Sequence, residues 1–436
     1  MMAAREGFFA RVDHASEALR WTTSSRAVFS GGNQIELLRG GDMLFPAMHQ
    51  AIGGALHEIW LATYIFDDDA AGLGMAAALC AAARRGVRVR VVVDGFGSLH
   101  ALAALRKQFE PAGVGLAVFR PVHGWWSWFV PGQLRRLHQK LCVVDGQIGF
   151  VGGINLIDDR HDQRHGWSDA PRLDYAVRLC GPVVHPVEQT ARAMWTRAWF
   201  GRDWRGEVRE IARSSQPVRK ARRLLRRLRI VRRRQARGVT PRTLQPMQAA
   251  FLVRDNLRQR RSIERSYIDA LRSAEQRIDL VSAYFYPGLE FRRALTQAAQ
   301  RGVRVRLLLQ GKVDYRFAAL AAQAVYDEML AQGVRIYEYT PAFLHAKVAC
   351  VDTRWATVGS SNIDPLSLLV NLEANVAVRD AGFVATLAEA LECDFAASAE
   401  ITASPPLAGW RRWLRRGLVA SVARLYLRAA GATGRY

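Results

Sequence analysis

The sequence has few acidic residues, no closely paired cysteines and no long apolar runs, and each of these features excludes some classes of protein. Its 436 residues hold 39 Asp and Glu against 62 Lys and Arg, a net charge of +23. This surplus predicts a polyanionic partner, either nucleic acid or an anionic membrane surface. The five cysteines form no CxxC pair and have no His at zinc-ligand spacing, so they indicate buried thiols in a reducing compartment.

Membrane-spanning and metal-binding signals are missing as well. No run approaches about 18 uncharged apolar residues, and the N-terminus has no continuous apolar segment of the signal-peptide kind. We therefore expect neither a signal peptide nor a spanning helix. We also find no Asp, Glu and His cluster at ligand spacing, so we expect no metal and no cofactor.

The chain repeats itself over a distance of more than 200 residues. Three pairs of segments carry the repeat: RGVRVRVVVDG from Arg85 with RGVRVRLLLQG from Arg301, AGVGLAVFRP at 112–121 with QGVRIYEYTP at 332–341, and ATYIF at 62–66 with SAYFY at 282–286. A repeat this long indicates a duplicated domain rather than a solenoid. In each half, short β-branched runs alternate with amphipathic helical stretches, which predicts α/β lobes with mostly buried mixed sheets flanked by helices.

This pattern divides the chain into five parts. They are an N-terminal extension at 1–29, a first lobe at 30–205, a basic linker at 206–244, a second lobe at 245–400 and a basic amphipathic tail at 401–436. Three segments are candidates for contact with an anionic surface: the aromatic loop at 123–133, the Arg-rich stretch at 218–238 and the tail at 405–430.

The strongest signal is a motif that occurs twice. HQKLCVVDGQIGFVGGIN at 138–155 and HAKVACVDTRWATVGSSN at 345–362 share His at offset 0, Lys at +2, Asp at +7 and Asn at +17. Alternate residues of a strand face the same side, so each His and Lys project together. A lone His on a strand is usually structural, but two sets with identical spacing indicate a duplicated half-site.

The aspartates of the two motifs occupy a different place. Asp145 and its counterpart Asp352 lie at an odd offset from the histidine, and Asp145-Gly146 is a tight-turn signal. Their position predicts that they point away from the histidines and hold the hairpin or a neighbouring strand. The small residues at +14 to +16 then allow backbone to approach a ligand before Asn155 or Asn362 presents its amide.

Two half-sites facing each other suit a phosphodiester. Lys140, Lys347 and the two asparagines can orient the non-bridging oxygens, where charge develops in the transition state. One imidazole can attack phosphorus while the other protonates the leaving alcohol. A nucleophilic His needs an acceptor at its far nitrogen, and we expect Asp174 and Glu373, which lie 36 and 28 residues after His138 and His345, to orient the imidazoles.

The paired motif resembles the HxKxxxxD motifs of the phospholipase D superfamily over roughly 35–400. VGSSNIDPLSLLVNLEANV at 358–376, RDN at 254–256 and VGGINLIDD at 151–159 further resemble bacterial cardiolipin synthases of the form without N-terminal membrane helices. The resemblance implies one active site shared by two pseudo-two-fold lobes and a phosphohistidine intermediate. It implies a catalytic set of His138, Lys140, Asp145, His345, Lys347 and Asp352, with both lysines, Asn155 and Asn362 as phosphate ligands and His138 favoured as the nucleophile.

The expected function is phosphatidyl transfer to the hydroxyl of phosphatidylglycerol, with phosphatidylglycerol or phosphatidylethanolamine as donor. We expect a peripheral enzyme at the cytoplasmic face of the bacterial inner membrane, bound to anionic phospholipid and not to nucleic acid. Three alternatives stay open: a phospholipase D-type hydrolase, a phosphodiesterase or nuclease using the same site, and a basic scaffold without catalysis. The oligomeric state and the balance between transfer and hydrolysis are likewise open.

Overall fold

The computed structural model describes residues 27–122, 135–200, 247–255, 259–312 and 325–402. The segments predicted to contact membrane, at 123–133, 218–238 and 405–430, lie outside these residues, as do the whole linker and most of the tail. None of the helices in the described ranges has both the length and the apolar character that crossing a bilayer requires.

The first lobe is a mixed sheet between helices. Its strands are β1 (Ser30–Arg39), β2 (Glu58–Thr63), β3 (Arg88–Asp94), β4 (Gly115–Phe119), β5 (Leu141–Val144), β6 (Ile148–Gly152) and β9 (Tyr175–Cys180), with a separate hairpin of β7 (His161–Asp162) and β8 (Gly166–Trp167). Its helices are α1 (Gly40–Gly53), α2 (Ala70–Arg84), α3 (Leu102–Ala112) and α4 (Val184–Phe200). Strands β2, β3 and β4 are parallel, and the α2 and α3 crossovers connect them.

The second lobe repeats this order. Its strands are β10 (Met247–Arg254), β11 (Arg277–Ser282), β12 (Arg304–Gln310), β13 (Arg335–Tyr339), β14 (Lys347–Val351), β15 (Trp355–Gly359), β16 (Glu373–Arg379) and β17 (Ser398–Ile401). Its helices are α5 (Ser262–Arg272), α6 (Leu289–Gln300), α7 (Pro365–Leu369) and α8 (Ala381–Ala396). The predicted α/β fold of two similar lobes is confirmed.

The two sheets join edge to edge. Within the described residues, the strand order of the combined fifteen-stranded sheet is β4-β3-β2-β5-β6-β9-β1 followed by β10-β16-β15-β14-β11-β12-β13-β17. Apart from β17, each strand of one lobe has a counterpart at the mirrored position of the other. Strands β1 and β10 pair antiparallel at the centre, and one buried apolar cluster contains residues from both lobes, including Val177 and Val376. This arrangement places the pseudo-two-fold axis between the lobes.

Candidate active site

Each histidine lies in the short segment that precedes the motif hairpin, next to the junction of the lobes. His138 comes just before β5, and His345 comes just before β14. Their ring centroids are 6.5 Å apart, with an interplanar angle of 64°. The structure therefore brings the two imidazoles together at the junction of the lobes, as the duplicated motif predicts.

The orienting carboxylates cross between the lobes. His138 Nδ1 lies 2.9 Å from Glu373 Oε2, and His345 Nδ1 lies 2.6 Å from Asp174 Oδ2. Chain order predicts that each carboxylate orients the histidine that precedes it, and that pairing is wrong. Each half-site is complete only when the lobes are assembled.

The crossover follows from the backbone. Leu137 and Leu372 form an isolated parallel bridge, as do Leu173 and Leu344. The main-chain N–H of each histidine donates to the carbonyl of the leucine that precedes the opposite carboxylate, at 3.0 Å for His138 and 2.8 Å for His345. The carboxylate that follows that leucine then lies against the imidazole of the other lobe.

The two motif lysines are buried beside the histidines. Lys140 Nζ donates to the carbonyl oxygen of His138 at 2.8 Å, and Lys347 Nζ donates to that of His345. Burial lowers the pKa of Lys140 to about 7, against the attraction of Glu373, and it lowers the pKa of Lys347 to about 8, against that of Asp174. A phosphate between them would stabilise the charged ammonium groups.

The two asparagines use their oxygens on the backbone. Asn155 Oδ1 accepts from the N–H of Ile65 at 3.3 Å, and Asn362 Oδ1 accepts from that of Tyr284 at 3.4 Å. Both asparagines are buried, with 3% of their surface exposed. Because the oxygen is engaged, the amide NH₂ group is the end that suits an anionic ligand.

Asp145 and Asp352 do not belong to the reacting set. The Asp145 carboxylate accepts from the backbone N–H groups of Leu56, His57 and Glu58, each at 2.8 Å. Asp352 makes the matching contacts to residues 275–277 at 2.8–3.0 Å. The catalytic assignment implied by the motif is therefore corrected: each aspartate lies at the turn of its hairpin and ties it to the preceding strand, as the odd offset predicts.

The small residues after β6 and β15 fit different carboxylates. A Cβ atom added to Gly153 would lie 2.2 Å from Asp174 Oδ1, so a side chain there would displace the carboxylate. The equivalent residue of the second lobe is Ser360, whose Oγ donates to Glu373 Oε2 at 2.5 Å. The first lobe therefore combines glycine with the shorter carboxylate, whereas the second lobe combines serine with the longer carboxylate at the equivalent positions.

Burial gives the two pairs unusual proton affinities. Burial, opposed by Lys347 and by the N–H of Tyr175, raises the pKa of Asp174 to about 7. Burial also lowers the pKa of both histidines, and the motif lysines add to the shift at each of them; at His138 the attraction of Glu373 opposes it. Near neutral pH the Asp174–His345 pair can therefore hold a proton on the carboxyl group, with a neutral imidazole beside it.

Tyr64 is a site residue that the sequence analysis missed. Its ring lies 5.1 Å from that of His138. When ATYIF is aligned with SAYFY, Tyr64 matches Tyr284. The strand registers, β2 with β5 and β11 with β14, instead make Ala283 the structural equivalent of Tyr64, and Ile65 that of Tyr284. The repeat is therefore offset by one residue here, and His138 has an aromatic neighbour that His345 does not have among the described residues.

A pair of strand-end residues also escaped notice. Asp94, at the end of β3, accepts from the N–H of Leu137 at 2.9 Å, and Gln310, at the end of β12, accepts from the N–H of Leu344 at 2.8 Å. Each fixes the backbone of the residue before a histidine. In the sequence, Asp94 and Gln310 are the residues before the final glycine of the two repeated segments, and this shared position could have identified them.

The fold also gathers acids and histidines that are scattered in the sequence. Asp67, Asp69 and His161 form one group able to hold a cation, and Asp67, Asp68 and His100 form another. The expectation that no such cluster exists is therefore corrected. Protein donors already engage these carboxylates: Asp67 Oδ2 lies 3.1 Å from His100 Nε2, and Asp69 Oδ1 caps α2.

Comparison with known proteins agrees with this geometry. A family model described as "Cardiolipin synthase, PLD-like domain" matches residues 48–165 and 267–397. Cardiolipin synthase B of Shigella flexneri is 37% identical over 376 residues, which cover 85% of this chain and 82% of the relative. Cardiolipin synthase A of Pseudomonas putida strain GB-1 is 30% identical over 408 residues, covering 91% and 76%.

A solved structure supports the fold alone. The phosphatidylserine synthase of Haemophilus influenzae has a TM-score of 0.60 at 12% identity, with 96% of this chain and 98% of that chain covered. The relatives named above do not favour the hydrolase or nuclease alternatives. By its sequence and its duplicated half-sites, the chain belongs to the phospholipase D-like cardiolipin synthase family.

Proposed function

We propose that this protein makes cardiolipin by moving a phosphatidyl group, through a phosphohistidine, onto the hydroxyl of phosphatidylglycerol. Family membership already makes it a phosphatidyltransferase of phospholipid biosynthesis; the proposal adds the intermediate, the acceptor and the roles of the residues. The observation that carries it is the pair of imidazoles with centroids 6.5 Å apart, each bonded through Nδ1 to a buried carboxylate of the opposite lobe.

In the first half-reaction, His138 Nε2 attacks the phosphorus of the donor lipid. The bond between phosphorus and the head-group oxygen breaks, and the electron pair leaves with that oxygen. His345 gives its Nε2 proton to the departing alcohol, and Asp174 can replace that proton through Nδ1. The lysines and the amide NH₂ groups of Asn155 and Asn362 stabilise the charge on the non-bridging oxygens.

The second half-reaction reverses the proton movement. The hydroxyl of phosphatidylglycerol loses its proton to His345 Nε2 and attacks phosphorus, and the bond between phosphorus and nitrogen breaks. Cardiolipin leaves, and His138 is free again. A neutral imidazole with its Nδ1 proton held by a carboxylate suits both the attack and the release.

The difference between the two pairs supports His138 as the nucleophile. Glu373 accepts from His138 and from Ser360 Oγ, so two donors fix this carboxylate against the His138 ring and hold the imidazole in one orientation. Asp174, with its pKa raised to about 7, favours a proton held in the His345 pair, as an acid catalyst needs. The donor lipid is phosphatidylglycerol or phosphatidylethanolamine.

The substrates lie in a membrane, and we propose peripheral attachment at the cytoplasmic face. The net charge of +23 supports this attachment, because each cation near an anionic leaflet contributes about 1 kcal/mol. The segments at 123–133, 218–238 and 405–430 remain the predicted contacts.

The test is incubation with phosphatidylglycerol carrying a label in its diacyl part, with and without phosphatidylethanolamine. We expect labelled cardiolipin from the wild type, none from His138→Ala and none from His345→Ala. His185→Ala is the matched control, because His185 is exposed on α4 outside the site. Rapid quench in denaturant at mildly alkaline pH, which preserves the acid-labile bond between phosphorus and nitrogen, followed by peptide mapping, should find the phosphatidyl adduct on His138.

The outcomes separate the alternatives. Phosphatidic acid as the sole product would make the protein a hydrolase. An adduct on His345 would reverse the two histidine roles while leaving the overall reaction intact. Full activity in His138→Ala would end the covalent mechanism.

A further inference from the structure

Four arginines of the first lobe gather around the segment that precedes His138, and the mechanism above does not use them. They form the arginine cluster: Arg120 after β4, Arg135 and Arg136 shortly before His138, and Arg197 in the last turn of α4. Arg136 is buried, Arg120 and Arg135 are half-buried, and Arg197 is exposed.

Neutral groups hold the cluster in place. Arg120 Nη1 donates to the carbonyl of Arg135 at 3.0 Å, and Arg136 Nη1 donates to the carbonyl of Arg120 at 3.3 Å. The Phe119 ring lies 5.3 Å from Arg120 Cζ and 5.6 Å from Arg197 Cζ. Arg120 also has a φ of 49°, a strained left-handed value that persists only where its surroundings impose it.

These contacts position the guanidinium groups through neutral atoms, while Asp94 attracts Arg120 and Asp255 attracts Arg197 without a direct contact. Arg136 Nη1 lies 3.6 Å from Asp94 Oδ1, but within the described ranges Arg120, Arg135 and Arg197 make no ion pair. Burial, followed by repulsion from Arg197, Arg135 and Arg136, lowers the pKa of Arg120 to about 10. Such a preorganised and self-repelling set of forked donors favours a bound anion, and guanidinium matches phosphate oxygens best.

The second lobe has no arginine at the positions that match Arg120, Arg135 and Arg136. The repeat places Thr340 opposite Arg120, and the offsets from His345 place Ala342 and Phe343 opposite Arg135 and Arg136. The groups that handle the reacting phosphate recur at matching positions of both lobes, whereas these arginines belong to the first lobe only. We therefore expect the arginine cluster to bind a group that is present on only one of the two substrates at a time and that is not the reacting phosphate.

We propose that the arginine cluster binds the non-reacting phosphodiester of the acceptor phospholipid, so that the enzyme selects an alcohol with its own phosphate over a neutral alcohol or water. This inference rests on the proposed function. A glycerol unit is about as long as the distance of 6.5 Å between the two imidazole centroids. An acceptor with its hydroxyl at His345 can therefore place its phosphate on the side of His138, where the arginines lie.

The experiment compares two acceptors that present the same kind of hydroxyl. The enzyme receives phosphatidylglycerol vesicles together with either labelled phosphatidylglycerol or labelled free glycerol, and label is followed into cardiolipin or into new phosphatidylglycerol. The test variants are Arg135→Gln, Arg197→Gln and the double variant; Arg136 is left intact because its loss would leave Asp94 buried and unpaired. Arg354→Gln is the matched control, since it removes the same charge from an exposed turn far from the histidines.

We expect each cluster variant to lower the preference for phosphatidylglycerol over glycerol, measured as the ratio of the two kcat/KM values, roughly ten-fold. The control should keep the wild-type ratio, and circular dichroism should show that all variants fold. Sedimentation with the same vesicles, measured separately, should show equal binding for the cluster variants and the control.

Three results would overturn the inference. An unchanged ratio in the double variant would mean that the cluster does not bind the acceptor phosphate. Equal losses with both acceptors, accompanied by weaker vesicle binding, would make the cluster a general contact for the anionic surface. A wild type that incorporates glycerol but makes no cardiolipin would refute the proposed function itself, and the arginine variants play no part in that result.

Discussion

The substitution Gly153→Ala adds one methyl group beside Asp174, and we expect it to break the contact between Asp174 and His345. A Cβ atom there would lie 2.2 Å from Asp174 Oδ1. To restore an ordinary contact, the carboxylate has to retreat by about 1 Å. That movement takes Asp174 Oδ2 out of hydrogen-bond range of His345 Nδ1, from which it is now 2.6 Å away.

Two magnitudes follow for Gly153→Ala. Displacement of a catalytic group by about 1 Å costs about 100-fold in kcat. Overpacking a filled interior costs about 1–3 kcal/mol of stability, so the midpoint of thermal unfolding should fall as well. Both are measured on purified protein, with labelled phosphatidylglycerol for kcat. Gly53→Ala, which meets nothing within 4 Å, is the matched control.

The second lobe supplies a rescue for the first. There Ser360 and Glu373 fit together, so Gly153→Ser combined with Asp174→Glu transplants a working pair. We expect the double variant to recover at least about ten-fold in kcat over Gly153→Ser alone, as coupled neighbours do. Wild-type kcat and melting temperature in Gly153→Ala, or no gain in the double variant, would refute the reasoning.

Three further predictions follow from the site. The kcat/KM for cardiolipin formation should fall as pH rises through about 7, because Asp174 loses its proton and Lys140 its charge there; a rate still rising to pH 9 would contradict this. Because the pKa of Asp174 is raised from 3.8 to about 7 in the folded protein, the protonated carboxyl group stabilises the fold most at pH values below 3.8, and this stabilisation is lost as pH rises through about 7. The free energies of unfolding of the wild type and of Asp174→Asn, compared at pH 4 and pH 8, would measure it. Asp145→Ala and Asp352→Ala should each lower the free energy of unfolding by about 1–3 kcal/mol, because each leaves three backbone N–H groups without an acceptor. The kcat per folded molecule should change little. A large loss of kcat at an unchanged melting temperature would instead make these aspartates catalytic residues.

The sequence by itself was enough for the features that depend on local spacing. Strand alternation predicted that His138 and Lys140 share a side, and the tight turn predicted that Asp145 faces away from them. The repeat predicted two lobes of one α/β fold. His138 and Lys140 precede β5, and both lie against the Tyr64 ring. Local predictions of this kind succeed because the residues are close in the chain, where distance along the chain determines distance in space.

Only the tertiary structure decided which groups meet across the lobes. Asp174 follows His138 in the chain, yet it bonds His345, because parallel bridges at Leu137 and Leu173 connect each histidine segment to the opposite lobe. The residue beside each imidazole depends on strand register, which differs by one position from the matching letters around Tyr64. The arginines converge for the same reason: contacts between distant segments are set by which strand ends lie side by side, and no spacing within the chain records that.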